Sequence, residues 1–291
     1  MKKLAISCDS VHVIPEKAKE YGLILAPFSV MVGNRRYSDA EMDLDELYKA
    51  LENKDNLPTT SMPSVGEFVE LFTALSHQAE AILHINITSV FSASYQNALK
   101  AREIAISKLP GTRIEVFDSR TTGMGVCLTA REALESTAAG KSLDEILQDV
   151  NIIIPRVNDF SARDTLFYFD KGGRIFEAKS WSAAEKEASF RSIIEIDASS
   201  EGTVRPVARA KTEAQIIDRL VELTRQRAGA AKTLNGDIGY SRGAEERAAK
   251  LKAALISEFR FDRLDTAEIS AAVAVHNGKG FLDYALCPSL D

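Results

Sequence analysis

Short β-rich runs alternate with amphipathic helical stretches through the first half of this chain, and that alternation limits the fold more than any other feature. Strands are expected at 3–8, 23–32, 81–87 and 113–117, and helices at 15–21, 43–53, 65–76, 92–109 and 123–139. Such an order builds a parallel sheet wound with helices. Three of the strands lead into a polar pair, Asp9-Ser10, Thr88-Ser89 and Asp118-Ser119. Open parallel sheets bind ligands at the carboxyl ends of their strands, so these pairs mark the edge where a site is expected.

The texture changes after a further helix at 142–151. From about Arg156 onward strands are expected at 160–163, 192–197, 203–210, 233–240, 264–269 and 271–276, with helices at 164–170, 178–190, 212–228 and 243–259 and a turn at Ser199-Ser200-Glu201-Gly202. The expected architecture is therefore α/β in two domains. A parallel-sheet α/β domain spans 1–155 and an α+β domain spans 156–291, with a ligand cleft between them.

At 291 residues either domain can bury a substantial core, and 45% hydrophobic with 27% charged residues is ordinary for a globular chain. A net charge of -6 gives no basic footprint for nucleic acid. Cys8, Cys127 and Cys287 are far apart and form no zinc-type spacing, which fits reduced thiols in the cytoplasm and predicts no metal. The start through Cys8 faintly resembles a lipoprotein signal, but its apolar run is short and Asp9 follows at once, so it reads as a first strand. No apolar run approaches the roughly 18 residues that cross a bilayer.

The stretch Leu57-Pro-Thr-Thr-Ser-Met-Pro-Ser-Val-Gly-Glu-Phe68 carries the clearest chemistry. Pro58 and Pro63 restrict the backbone around Thr59, Thr60 and Ser61, and Ser64 with Glu67 has the form of a capping box for the helix 65–76. Hydroxyls and helix amides without Lys or Arg suit a carboxylate better than a triphosphate. A second hydroxyl-rich turn holds Thr88, Ser89 and Ser92, and the two together would surround one carboxylate. Both segments also read simply as helix caps. His276, at the end of the apolar run from Ala271 and before Asn277-Gly278-Lys279-Gly280, is the one histidine of four that stands out as a candidate donor.

Other chemistries find less support. A triad of Ser89 or Ser92 with His276 and Asp9 or Asp118 lacks a G-x-S-x-G elbow. Ala139-Gly140-Lys141-Ser142 has Glu135 where a phosphate loop needs its first glycine, and Gly123-Met124-Gly125 continues to Leu128 instead of glycine, so no nucleotide cofactor is expected. Lys171-Gly172-Gly173-Arg174 is a tight turn presenting Arg174 either to solvent or to an acidic partner.

Taken in order, Cys8-Asp9-Ser10, Ile14-Pro15-Glu16, Ala26 to Val30, Pro58 to Phe68, Thr88 to Gln96, Phe117-Asp118-Ser119, Asp164 with Gly172-Gly173-Arg174-Ile175, and His276-Asn277-Gly278 resemble the DegV family of bacterial fatty-acid-binding proteins. The resemblance implies one long-chain fatty acid buried between two domains, its carboxylate held by Thr59, Thr60, Ser61, Thr88, Ser89 and Ser92 with His276 nearby. It further implies a carrier that does not itself catalyse, serving a separate fatty-acid kinase that phosphorylates the carboxylate, with Arg174 on the side facing that kinase. There are departures from the family pattern. Val90 and Ala93 replace usual glycines and Lys279 a common proline, while Glu177, Lys179, Glu185, Lys186, Glu187, Arg191 and Glu195 put charge where an acyl tunnel is normally lined by apolar residues. A smaller or more polar acid is the alternative ligand those charges suggest.

Overall fold

The computed structural model describes residues 2–109, 111–174 and 190–290. Strands β1 (Lys2–Asp9), β2 (Ile24–Ala26), β6 (Ala79–Asn86) and β7 (Arg113–Asp118) form an all-parallel sheet in the order β2-β1-β6-β7. Helices cover both faces, as the alternation predicts. Ala5 and Ile82 face the helices Val65–Ser76 and Ser94–Lys108 through Phe68, Phe72, Ala98 and Ala101. Leu4, Ile6, Leu83 and Ile85 face the other way, toward the helix Gly123–Ala138.

A second sheet is mixed, with the order β10-β9-β8-β13-β11-β12, comprising β8 (Asn158–Ala162), β9 (Arg191–Glu195), β10 (Arg205–Ala210), β11 (Leu234–Tyr240), β12 (Phe261–Glu268) and β13 (Leu282–Pro288). The helices Glu213–Ala228 and Glu245–Glu258 pack on one face of it. Gly123–Ala138 touches the other face at β11 and β13 while touching β1 of the first sheet, so one continuous apolar core joins the two sheets. An isolated bridge between Val13 and Ile269 ties them again. The resulting chain is a mixed α/β protein with a parallel sheet.

Four expectations need correction. The run 23–32 is two strands, because Pro27 interrupts it and β3 (Ser29–Val32) leaves the parallel sheet for a small antiparallel sheet with β4 (Arg35–Ser38) and β5 (Thr59–Ser61). The loop Thr59–Ser61 is thus a strand, paired to Ser29–Met31. Ala271–Asn277 is a helix, not a strand. Its amide at Ala272 donates to the buried Asp39 carboxylate at 2.6 Å, and an apolar run this short carries no periodicity that separates helix from strand. Finally β13, buried along its length and central in the second sheet, was absent from the expected elements. The expected helix 178–190, except its last residue, which is not helical, and the charged positions Glu177 to Glu187 lie outside the described residues.

Candidate acid-binding site

A cavity of about 240 Å³ opens where the small sheet, the 87–94 turn, the helix Ala271–Asn277 and β8 converge. Its walls are apolar and aromatic, with Val11, Phe28, Ile87, Phe91, Phe169 and Phe281 among them. Met62, 37% exposed, marks its open side.

Thr60 and His276 meet on this cavity. Thr60 Oγ1 lies 2.7 Å from His276 Nε2, although the residues are 216 apart in sequence. Local structure fixes both partners. Pairing of β5 to β3 holds Thr60 opposite Val30. On the other side, the helix Ala271–Asn277 is tethered through Ala272 to Asp39, and Asn277 Nδ2 donates to the Val273 carbonyl at 2.8 Å. Gly172 touches the back of the ring: a Cβ there would stand 2.5 Å from His276 Nδ1. Burial, then the neighbouring Arg174 charge, pushes the His276 imidazole down to about 4, so at neutral pH it is uncharged.

Ser61, Ser92 and Arg174 line the same cavity. Ser92 Oγ also accepts from Ser94 N at 3.1 Å, so the binding and capping readings of that residue coexist. Arg174 is half-buried instead of projecting freely; its Nη1 donates to the Gly172 carbonyl at 2.6 Å, and burial holds its pKa below the usual guanidinium range. A cation therefore stands among the hydroxyls, which the Thr-Thr-Ser loop by itself did not suggest.

The structure does not bring Thr59, Thr88 or Ser89 to the cavity lining. Thr59 is exposed. Buried Thr88 donates from Oγ1 to the Gly202 carbonyl at 3.3 Å, clasping the first sheet's edge to the turn after β9. Ser89 N donates to Asp118 at 3.3 Å. Asp9, buried at the end of β1, organises the turn from beneath by accepting from Ile87 N at 3.0 Å, Ser94 Oγ at 3.0 Å and Asn86 Nδ2 at 3.2 Å. The considered hydrolase triad is thus not assembled, since His276 pairs with Thr60 while Asp9 and Asp118 are engaged with the turn.

The charges expected to spoil an apolar tunnel point elsewhere where they are described. Glu195 is fully buried toward the helix side of its sheet, accepting from Arg227 at 2.7 Å and from Arg205 Nε at 2.9 Å. Arg191 pairs with Asp164 at 3.1 Å, and Lys279 with Glu52 at 3.3 Å. Sequence reasoning missed Ser161, Arg163 and Asp283, which also line the cavity. Arg163 follows the end of β8, beside Asp164, and by sequence reads as solvated surface, so no signal in the sequence marks it. Among the described residues no cluster of potential metal ligands occurs and no helix is long and apolar enough to cross a membrane. Cys8, Cys127 and Cys287 are buried free thiols.

A family model described as an uncharacterised protein of the DegV family matches residues 3–289. A DegV domain-containing protein of Halalkalibacterium halodurans is 27% identical over 286 residues, covering 96% of each chain. Among solved structures, a fatty-acid-binding DegV family protein from Thermus thermophilus has a TM-score of 0.88 at 22% identity, covering 99% of this chain and 100% of that one. A stearic acid-binding protein from Eubacterium ventriosum has a TM-score of 0.85 at 19% identity, covering 99% and 98%.

Proposed function

The chain belongs to the DegV family, and on that premise we propose that it binds one long-chain fatty acid and presents the carboxylate to a separate fatty-acid kinase, contributing no catalytic group itself. The observation that carries this reading is the Thr60–His276 pair on a cavity walled by phenylalanines. The shared fold with the fatty-acid-binding proteins of Thermus thermophilus and Eubacterium ventriosum supports it. An acyl tail gains on the order of 0.8 kcal/mol per buried methylene, enough for a chain of palmitate length to outweigh the cost of immobilising it.

In this reading Thr60, Ser61 and Ser92 donate to the carboxylate, His276 Nε2–H donates to Thr60 Oγ1 and so turns that hydroxyl toward the head group, and Arg174 supplies a single cation beside it. Neutral donors with one cation orient the head group without the bidentate double clamp that would oppose its release. Thr59, Thr88 and Ser89 then act behind the site, through strand pairing, the clasp to Gly202 and the bond to Asp118. A kinase would approach from the side of Met62 and the Gly172–Arg174 turn. The chain would work in the cytoplasm as two domains, 1–155 and 156–291, with the acid held between them.

Native followed by denaturing mass spectrometry, with identification of any released acid, tests this reading. Thr60→Ala with Ser92→Ala is expected to weaken retention of palmitate by about tenfold or more while the fold persists. Unchanged retention in the double variant would remove the carboxylate cradle from the proposal.

A further inference from the structure

Thr60 and His276 are both placed by the small antiparallel sheet. On one side of its central strand β3, β5 carries Thr60 opposite Val30. On the other side β4 leads into Asp39, whose amide donates back to the Phe28 carbonyl at 2.7 Å. Asp39 is only 3% exposed, and its Oδ1 accepts from Ala272 N at 2.6 Å, 233 residues further along the chain. Ser270, which opens the helix Ala271–Asn277, makes no side-chain cap bond of its own. The capping acceptor of that helix therefore comes from the small sheet.

Asp39 is aimed in turn by the edge of the parallel sheet. The Ser10 hydroxyl donates to its carboxylate and accepts from Phe28 N at 2.9 Å. Ser10 follows Asp9, which holds the turn that carries Ser92. The polar pair at the end of β1 thus serves both flanks of the site.

A helix of seven residues has little stability of its own, so its position follows from what holds it. Ala272 and His276 lie one turn and about 6 Å apart on the same face. A first turn that shifts by about 1 Å carries the ring with it, and the 2.7 Å contact between His276 Nε2 and Thr60 Oγ1 then exceeds hydrogen-bond length.

We propose that Asp39 is a positioning residue of the acid-binding site, aligning His276 with Thr60 through the first turn of the helix that carries the histidine. The proposal rests on the fatty-acid reading above and adds to that site a residue outside the cavity lining. The test compares Asp39→Ala with Asp39→Asn in the full chain, by NMR titration of the His276 ring in delipidated protein and by calorimetry with palmitate. Removing the acceptor frees the ring, so its midpoint is expected to rise from about 4 to above about 5, toward the ordinary 6.5, while palmitate affinity falls about tenfold. Asn caps as well as Asp and keeps an oxygen for Ala272 N, so Asp39→Asn is expected to hold the midpoint at about 4 and the affinity within about threefold of wild type. Asp39→Ser, whose hydroxyl is one bond shorter than the carboxylate, takes the place of Asp39→Ala if that variant does not fold, with the same expectations. A midpoint that stays at about 4 in the variant lacking the acceptor, or that rises equally in Asp39→Asn, would overturn the proposal and leave the fatty-acid reading intact. A displaced ring with palmitate affinity within about twofold of wild type would overturn the role of Asp39 in acid binding together with that of His276. No palmitate binding by folded, delipidated wild type would overturn the fatty-acid reading and the proposal with it.

Discussion

Gly172→Ala isolates what the position of the His276 ring contributes. Gly172 sits at φ −70 and ψ −5, where alanine is at ease, so the backbone change alone would stabilise the fold by about 0.4–1 kcal/mol. The added Cβ would lie 2.5 Å from His276 Nδ1 and 3.1 Å from Cε1, against an ordinary contact distance that begins near 3.4 Å. The ring must yield by about 0.9 Å. It has no room to slide, because Nε2 already stands 2.7 Å from Thr60 Oγ1 on its far side. The imidazole therefore rotates out of line and loses the Thr60 bond, a cost of about 0.5–1.5 kcal/mol. The two contributions nearly cancel, leaving the melting temperature of the delipidated protein within about 4 °C of wild type. Palmitate affinity, which in our proposal needs Thr60 and His276 aligned, falls by about tenfold. Thermal melts with titration calorimetry separate the two quantities. Palmitate affinity within twofold of wild type, in a variant of unchanged stability, would refute the assignment of His276 to the head group.

Glu195→Ala leaves Arg205 and Arg227 facing an apolar hole; both arginines are partly exposed and rehydrate in part, so a loss of about 3 kcal/mol in denaturant unfolding is expected. His276, held at about 4 against an ordinary 6.5, favours folding in its neutral form, so its contribution is complete above about pH 6.5 and is lost as pH falls toward 4. An NMR titration of its ring should find a midpoint near 4, and His276→Gln should remove that part of the acid-side loss. Gly123 has φ +43, and a Cβ there would overlap Asp283 Oδ2 at 1.9 Å, so Gly123→Ala should cost about 3 kcal/mol and lower the melting temperature by about 6–12 °C.

The parts of the fold that were legible are those where a period or a cap is written locally. The helix Val65–Ser76 was bounded in the sequence because Ser64 and Glu67 cap reciprocally, as their bonds of 2.7 and 3.2 Å bear out. Strands β1, β6 and β7 were legible from alternating helices and from the polar residues that end them. Ala271–Asn277 was not, because burial on every side erases the amphipathic signature and a long-range carboxylate, Asp39, settles its first turn. The same holds for β13, which is buried throughout and so shows no alternation of polar and apolar residues. Within the site, the sequence pointed to a set of hydroxyls but not to which of them reach the cavity. That depends on the register of β5 against β3 and on Asp9 drawing the 87–94 turn inward, both of them long-range facts. Arg163 was invisible for the converse reason: a lone arginine beside an aspartate looks solvated until its guanidinium, just past the end of β8, is seen between Phe169 and Phe281.

The helix Gly123–Ala138 packs against β1 on one side and against β11 and β13 on the other, inside one apolar core. A protein joined in this way does not part like jaws to admit a guest, because separating the sheets would expose the interior that stabilises both. In the proposed function the acid would instead enter and leave at the rim, where Thr60, Ser61, Met62 and Arg174 line the cavity. The rate of loading would then be set by small local openings at that rim, of the kind whose free energies lie far below that of global unfolding. Hydrogen exchange that is faster at Thr60 and Gly172 than in β1 or β13 would be the kinetic trace of such a door.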